Sequence, residues 1–195
     1  MATSKQTQQR TLRIIGGQWR GRKLVFPNAE GLRPTPDRVR ETLFNWLATE
    51  VRGAHCLDLF AGSGALGLEA LSRGAASCTF VDSARTSCRA IAEHLDTLQC
   101  SSAQCQTMTA DAFLQHPPSR PFDIVFLDPP FAKNLLAATG AALESAPWLS
   151  PQACIYVESG RREPAPVLPE NWHQRRDKQA GEVRYQLFVR DPQFV

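Results

Sequence analysis

Asp58, Asp82, Asp111 and Asp128 fall at or just beyond stretches that read as β-strands, and the residues around them could do chemistry. Leu57-Asp58-Leu59-Phe60-Ala61-Gly62-Ser63-Gly64-Ala65-Leu66-Gly67 reads as a strand, a tight glycine turn and the start of a helix. Glycine carries no Cβ, so the backbone can turn sharply there and a ligand can lie against it. The spacing Gly62-x-Gly64-x-x-Gly67 fits a nucleotide-binding fingerprint, and Asp82 closes the next apolar run, Cys78-Thr79-Phe80-Val81. Asp58 sets this stretch apart, because nicotinamide-binding strands enter their first glycine through apolar residues. A carboxylate at that point suits a ligand with a positive group.

The second candidate is Phe122-Asp123-Ile124-Val125-Phe126-Leu127, a buried strand running into Asp128-Pro129-Pro130-Phe131. In open α/β sheets ligands sit at the carboxyl ends of the strands, where the strand order reverses. If the strands ending at Asp58 and Asp128 are neighbours, they lie about 4.8 Å apart and share one cleft. The exocyclic amino group of a base is a poor nucleophile, because its lone pair is delocalised into the ring. The Asp128 carboxylate and the Pro129 carbonyl can accept its two hydrogens and aim that lone pair at a methyl donor, which is mostly a matter of positioning. Nearby negative groups also stabilise the charge that develops on nitrogen. Pro129 and Pro130 stiffen the loop, and Phe131 can stack on a base turned out of its stack. No metal is required. Asp-x-Phe-x-Gly-x-Gly resembles the first motif of S-adenosylmethionine-dependent methyltransferases, and Asp-Pro-Pro-Phe resembles the motif of methylases acting on exocyclic or amide nitrogen. Carbon-5 pyrimidine methylases need a cysteine nucleophile, and none sits in this loop.

These residues must be positioned by an alternation of strands and helices. Strands are expected near 55–60, 77–82, 104–109, 122–128 and 153–158, and helices near 64–73, 83–98 and 133–145. In the second of these helices Ala84, Cys88, Ile91, Ala92, Leu95 and Leu98 form an apolar stripe with Ser83 as cap. The alternation argues for an α/β domain with a mostly parallel sheet covered on both faces. From 172 to 190, Val183, Tyr185, Leu187 and Val189 alternate with polar or partner residues after a break at Gly181, which predicts a closing antiparallel hairpin. Asp111, in Thr109-Ala110-Asp111-Ala112-Phe113, follows the third strand and reads equally as the N-cap of a short helix.

Ahead of this domain the composition changes. Residues 1–40 carry nine Lys/Arg against Glu30 and Asp37, a local charge of +7 inside a chain of net +3, which leaves −4 for the rest. A basic end on an acidic body points to a polyanionic partner. Residues 1–9 read as a disordered leader. Leu12–Ile15 and Lys23–Phe26 flank Gly16-Gly17-Gln18-Trp19-Arg20-Gly21, which predicts a hairpin, with Trp19 either stacking on a base or packing on the main domain. In the helix that follows, Thr35 is expected as N-cap and Pro36 at the first helical position, with Val39, Leu43, Trp46 and Leu47 on its buried face. Arg33, Arg38 and Arg40 flank its start, where they meet phosphate or solvent. The organisation expected is a leader at 1–9, a basic extension at 10–50 and a catalytic domain at 51–195.

The chain's 195 residues suffice for a sizeable core, and no apolar stretch approaches the roughly 20 residues that span a bilayer. The N-terminus lacks an apolar signal core, and six cysteines without Cys-x-x-Cys spacing read as reduced core residues of a cytoplasmic protein. The four histidines show no metal-ligand spacing.

Two further stretches carry a more specific resemblance: Arg13-Ile14-Ile15-Gly16-Gly17-x-x-Arg20-Gly21-Arg22-Lys23-Leu24, and Arg33-Pro34-Thr35-x-Asp37-Arg38-Val39-Arg40-Glu41-x-Leu43-Phe44-Asn45. Together with the two methyltransferase motifs, they make residues 10–190 resemble the bacterial RsmD family of 16S ribosomal RNA guanine-N2 methyltransferases. The resemblance implies a Rossmann-like class I methyltransferase with a seven-stranded sheet and a small N-terminal extension that helps hold RNA. It implies that Asp58, Gly62 and Gly64 hold the methionine part of S-adenosylmethionine, with Phe60 in the same cofactor-binding set. Asp82 would take the ribose hydroxyls, and Asp111 with Ala112 the adenine. Asp128, Pro129, Pro130 and Phe131 are the expected catalytic loop. Arg13, Arg20, Arg22, Lys23, Arg33, Thr35 and Arg38 are the expected contacts to 16S rRNA, alone or within an assembled small subunit, for a protein acting as a monomer. An N6-adenine methylase of DNA or RNA shares the chemistry. A nicotinamide-dependent oxidoreductase and a non-catalytic RNA-binding assembly factor are the more distant alternatives.

Overall fold

The computed structural model describes residues 10–26, 35–130 and 135–191. A two-stranded antiparallel hairpin, β1 (Arg10–Arg13) and β2 (Lys23–Phe26), comes first, followed by helix α1 (Asp37–Trp46). Then β3 (His55–Asp58), α2 (Ala65–Ser72), β4 (Ser77–Asp82), α3 (Arg85–Thr97), β5 (Ala103–Thr107), α4 (Ala110–Phe113), β6 (Phe122–Leu127) and α5 (Leu135–Glu144) alternate as the sequence predicts. The chain closes through β7 (Leu149–Gly160), β8 (Trp172–Ala180) and β9 (Val183–Arg190). The seven strands order as β5-β4-β3-β6-β7-β9-β8. The first five of these pair in parallel and the last two antiparallel. β3 and β6 are neighbours, as the shared cleft requires, and the strand order reverses between them.

Each strand of the centre is apolar on both faces, so the sheet separates two cores. One lies beneath the hairpin and α1 to α3, and includes Phe44, Leu68, Phe80, Ile91, Phe126 and Tyr156. The other holds Leu57, Val125, Leu127, Leu143, Trp148 and Val157, under α4 and α5. Phe44 of α1 meets Phe126 at a centroid distance of 6.1 Å, and Trp46 stacks on Tyr185 at 5.4 Å. Trp46 is therefore only partly buried, and Phe44, absent from the predicted stripe, fills the deeper position. Ala84, at the cap of α3, and Ala92 within it are exposed, while His94 takes a buried place and its Nε2 meets the Val25 carbonyl of β2 at 2.9 Å.

Two helix starts differ from expectation by one residue. The N-cap of α1 is Pro36, whose ψ of 146° lies outside the helix, so Thr35 stands one position further out. At α3 the cap position is Ala84, and the Asp82 carboxylate rather than Ser83 accepts its N–H, at 2.7 Å. Short polar side chains compete for such ends, and the longer reach of an aspartate two residues earlier wins here.

The hairpin is fastened to the main sheet through α2. Glu69 is fully buried and accepts Ile15 N–H at 2.9 Å, Gly16 N–H at 2.8 Å, Arg40 Nη1 at 3.3 Å and Arg73 Nε at 2.7 Å. Ser72 adds three bonds: its Oγ donates to the Gly16 carbonyl and accepts Trp19 N–H, and its carbonyl accepts Gln18 N–H. Gly17 is required at this approach: its φ is +76°, and a Cβ would stand 1.8 Å from the Ser72 carbonyl oxygen. Arg40, expected at phosphate or solvent, is fully buried instead. It bridges Glu69, Asp37 and the carbonyls of Arg13 and Thr35. Trp19 is half-buried and packs against the core.

Truncating one partner of a buried ion pair leaves the other uncompensated, at a cost of about 3–5 kcal/mol. Glu69→Ala should therefore lower stability by roughly that amount and expose the 14–22 segment to protease well below the global unfolding transition. Urea denaturation with limited proteolysis checks both outcomes.

Candidate active site

The carboxyl ends of β3, β4, β5 and β6 converge on one cleft. Its largest space is a cavity of about 310 Å³ walled by Phe60, Asp82, Met108, Asp111, Pro130 and Leu135 among others. A second cavity of about 280 Å³ adjoins it across Pro130 and Leu135 and reaches Pro129, Glu158 and Ser159. Between the glycine turn and the Asp128-Pro129-Pro130 loop lies a narrow pocket of about 30 Å³, lined by Thr35, Asp58, Gly62, Ser63 and Asp128.

Local chemistry holds the turn. Gly64 is the N-cap of α2 in the left-handed region, φ 75° and ψ 14°, a conformation that disfavours any Cβ. The Asp58 carboxylate accepts the Gly67 N–H at 3.0 Å, which places a carboxyl on the positive end of α2. Asp82 braces the turn from the next strand, accepting Gly62 N–H at 2.8 Å with its other oxygen. In α4 Thr109 is the N-cap and its Oγ1 accepts Ala112 N–H at 3.2 Å, so Asp111 is free of the cap and faces the cavity. Ala112 does not line the cavity, its amide being committed to that cap.

The predicted set divides accordingly. Asp58, Gly62 and Asp128 meet at the narrow pocket with Thr35, while Phe60, Asp82, Asp111 and Pro130 wall the larger cavity. Thr35 is buried here, its hydroxyl bonded to Glu158, whereas Arg13, Arg20, Arg22, Lys23 and Arg38 are exposed. Phe131 and Arg33 lie outside the described residues. Among the described residues no group of His, Cys, Asp and Glu could hold a metal ion, and no helix is long and apolar enough to cross a membrane.

This arrangement has known counterparts. Residues 12–189 match the model of a family described as conserved hypothetical protein 95. The chain is 51% identical over 182 residues to ribosomal RNA small subunit methyltransferase D of Escherichia coli K12, covering 93% of this chain and 91% of that protein. The corresponding Haemophilus influenzae protein is 48% identical over 180 residues, with 91% and 93% covered. The chain belongs to this family. The solved structure of Escherichia coli yhhF superimposes with a TM-score of 0.87 at 48% identity, covering 93% of this chain and 99% of that one. The fold is the class I methyltransferase fold, α/β with a mostly parallel seven-stranded sheet and a C-terminal antiparallel hairpin.

Electrostatically the cleft is marked by a group of carboxyls with which no Lys or Arg among the described residues forms an ion pair. Burial raises Asp58 to about 7, against the pull of the Gly67 amide, with Asp82 and Glu158 adding repulsion. Burial raises Asp128 well above its ordinary range, and the charges of Glu158 and Asp58 push it further. Glu158 rises to about 7 through burial, although the Tyr156 and Thr35 hydroxyls favour its ionised form. Glu158 and Tyr156 are the residues that motif reading passes over. The signal was present in Ile155-Tyr156-Val157-Glu158, an apolar strand ending in an acid, as at Asp58 and Asp128.

A carboxyl raised on folding contributes stability that is present below its unfolded value near 4 and is lost as pH rises through about 7. The melting temperature of the unliganded protein should therefore fall relative to Asp58→Asn between pH 5 and 8, by several degrees. Parallel melting curves across that range would show Asp58 ionised throughout.

Proposed function

We propose that this protein transfers the methyl group of S-adenosylmethionine to the exocyclic N2 amino group of a guanine in 16S ribosomal RNA, leaving S-adenosylhomocysteine. The observation that carries the reading is the adjacency of the two cavities across Pro130, with Asp128 and Pro129 beside that wall and three carboxyls that no Lys or Arg among the described residues pairs with. A ligand bearing ammonium and sulfonium charges suits such carboxyls, because it lets them ionise without mutual repulsion. When bound, S-adenosylmethionine supplies an activated methyl group on sulfur.

The residues divide the work. Asp58 with the Gly62–Gly64 turn holds the cationic methionine part, Phe60 walls the same cavity, Asp82 takes the ribose hydroxyls, and Asp111 faces the adenine. Asp128 and the Pro129 carbonyl accept the two hydrogens of the target amino group, which turns its lone pair toward the methyl carbon. As the new N–C bond forms and the S–C bond breaks, the nitrogen becomes cationic, and the Asp128 carboxylate stabilises it until one proton departs. Pro130 keeps the loop rigid. Arg20, Arg22 and Lys23, exposed on the hairpin, together with Arg13 and Arg38, grip the phosphate backbone. The relatives' name, ribosomal RNA small subunit methyltransferase D, supports the small-subunit RNA as substrate. We place the reaction in the cytoplasm, carried out by a monomer.

Removing a preorganised acceptor costs about 10²–10³-fold in turnover. Asp128→Ala should lose at least that much while S-adenosylmethionine binding by calorimetry persists, and near-normal turnover would refute the assignment. Labelled nucleoside from unmethylated small subunits should be N2-methylguanosine, and label in N6-methyladenosine would shift the substrate to adenine. Replacing Arg20, Arg22 and Lys23 together by Ala should weaken RNA binding and flatten its salt dependence by about one log-log unit per lost phosphate contact.

A further inference from the structure

Asp58, Asp128 and Glu158 stand on one face of three neighbouring strands. Leu57, Leu127 and Val157, the residues before them, enter the core on the opposite face, while Cys56, Phe126 and Tyr156 join the core beneath α1. Side chains alternate along a strand, so the three acids share the α1 side. Leu127 pairs with Val157, so Asp128 and Glu158 follow directly on adjacent strands about 4.8 Å apart. Glu158 is 3% exposed, and its Oε1 accepts the Tyr156 hydroxyl at 2.7 Å, with the Thr35 hydroxyl as a second donor. Among the described residues no Lys or Arg forms an ion pair with any of the three acids. A carboxylate offers about four lone-pair positions, so two hydroxyls leave Glu158 with acceptor capacity, and it borders the cavity that Pro129 and Pro130 also line.

Asp128 and Pro129 accept the two hydrogens of an amino group, and they would do so for adenine as for guanine. What separates the bases is the ring atom beside that amino group: N1 of guanine carries a hydrogen, and N1 of adenine a lone pair. We propose that Glu158 accepts the N1–H of the target guanine next to the amino group held by Asp128, and thereby selects guanine over adenine. The inference rests on the guanine-N2 reading given above. Two carboxylates side by side match the adjacent donors of the guanine edge, whereas adenine would set a lone pair against Glu158. A site built to bond a substrate donor rejects the analogue lacking it, because its own polar group is left unpaired. Tyr156 and Thr35 aim the carboxylate without competing for this role, since both donate to it.

The test compares ribosomal RNA carrying guanine or 2-aminopurine at the target position. 2-Aminopurine keeps the amino group and lacks the N1 hydrogen. Wild-type enzyme should prefer guanine in kcat/KM, and Glu158→Gln should cut that preference by about 10- to 100-fold. Tyr156→Phe, which leaves Glu158 in place without its aiming bond, should cut it less. Both variants should still bind S-adenosylmethionine by calorimetry. An equal fall on both substrates with the preference intact, in either variant, would overturn the inference. N2-methylguanosine from the wild type with that result would leave the guanine-N2 reading standing, whereas N6-methyladenosine from the wild type would remove both.

Discussion

The buried carboxylate of Glu69 is the point on which both halves of the molecule depend. It lies on α2, the helix whose first turn closes the glycine loop of the cleft, and it accepts two backbone amides of the hairpin together with two arginines. A fully buried carboxylate is costly unless each lone pair finds a donor, and here four donors supply that. Two residues before it, Gly67 gives its amide to Asp58, so one short helix carries the brace for the site and the anchor for the extension. Arg40 extends the anchor to α1 through Asp37 and through the Thr35 carbonyl, which stands over the narrow pocket. The position of Thr35 against Glu158 is therefore set by the same network that docks the hairpin.

The opposite arrangement holds at the cleft. Charges around Glu69 are balanced, whereas Asp58, Asp128 and Glu158 repel one another in a dehydrated corner, and each carboxyl is pushed toward its neutral form. Among the described residues no cation pairs with this corner, and a cationic ligand would relieve it. Sites that do chemistry commonly carry such perturbed groups, since a fold selected for stability alone would have paired or replaced them.

Much of this was legible in the chain. Strand and helix alternation and the closing hairpin followed from apolar periodicity and from glycines and prolines at the turns, whereas the pairing of the Asp58 and Asp128 strands entered only as a condition that the sheet order meets. Helix caps were less so: Thr35 and Ser83 are good cap residues, and only tertiary context shows that Thr35 turns to Glu158 and that Asp82 reaches Ala84. Arg40 could not be told from its exposed neighbours Arg38 and Glu41, because nothing local says that a guanidinium will find a buried carboxylate twenty-nine residues away. Glu158 lay in plain view at the end of an apolar strand, but no motif surrounds it. A single acid followed only by Ser159-Gly160 carries too little local pattern to be singled out.

The bonds that fasten the hairpin come from Ile15 N–H, Gly16 N–H, Gln18 N–H, Trp19 N–H and the Gly16 carbonyl, all of them main-chain groups. Main-chain groups are the same whatever the residue, apart from the space demanded at Gly17. The outward side chains Arg20, Arg22 and Lys23 are thus uncoupled from the anchor. Exchanging them leaves every hydrogen bond of the anchor in place, so this surface can vary while the domain beneath keeps its shape.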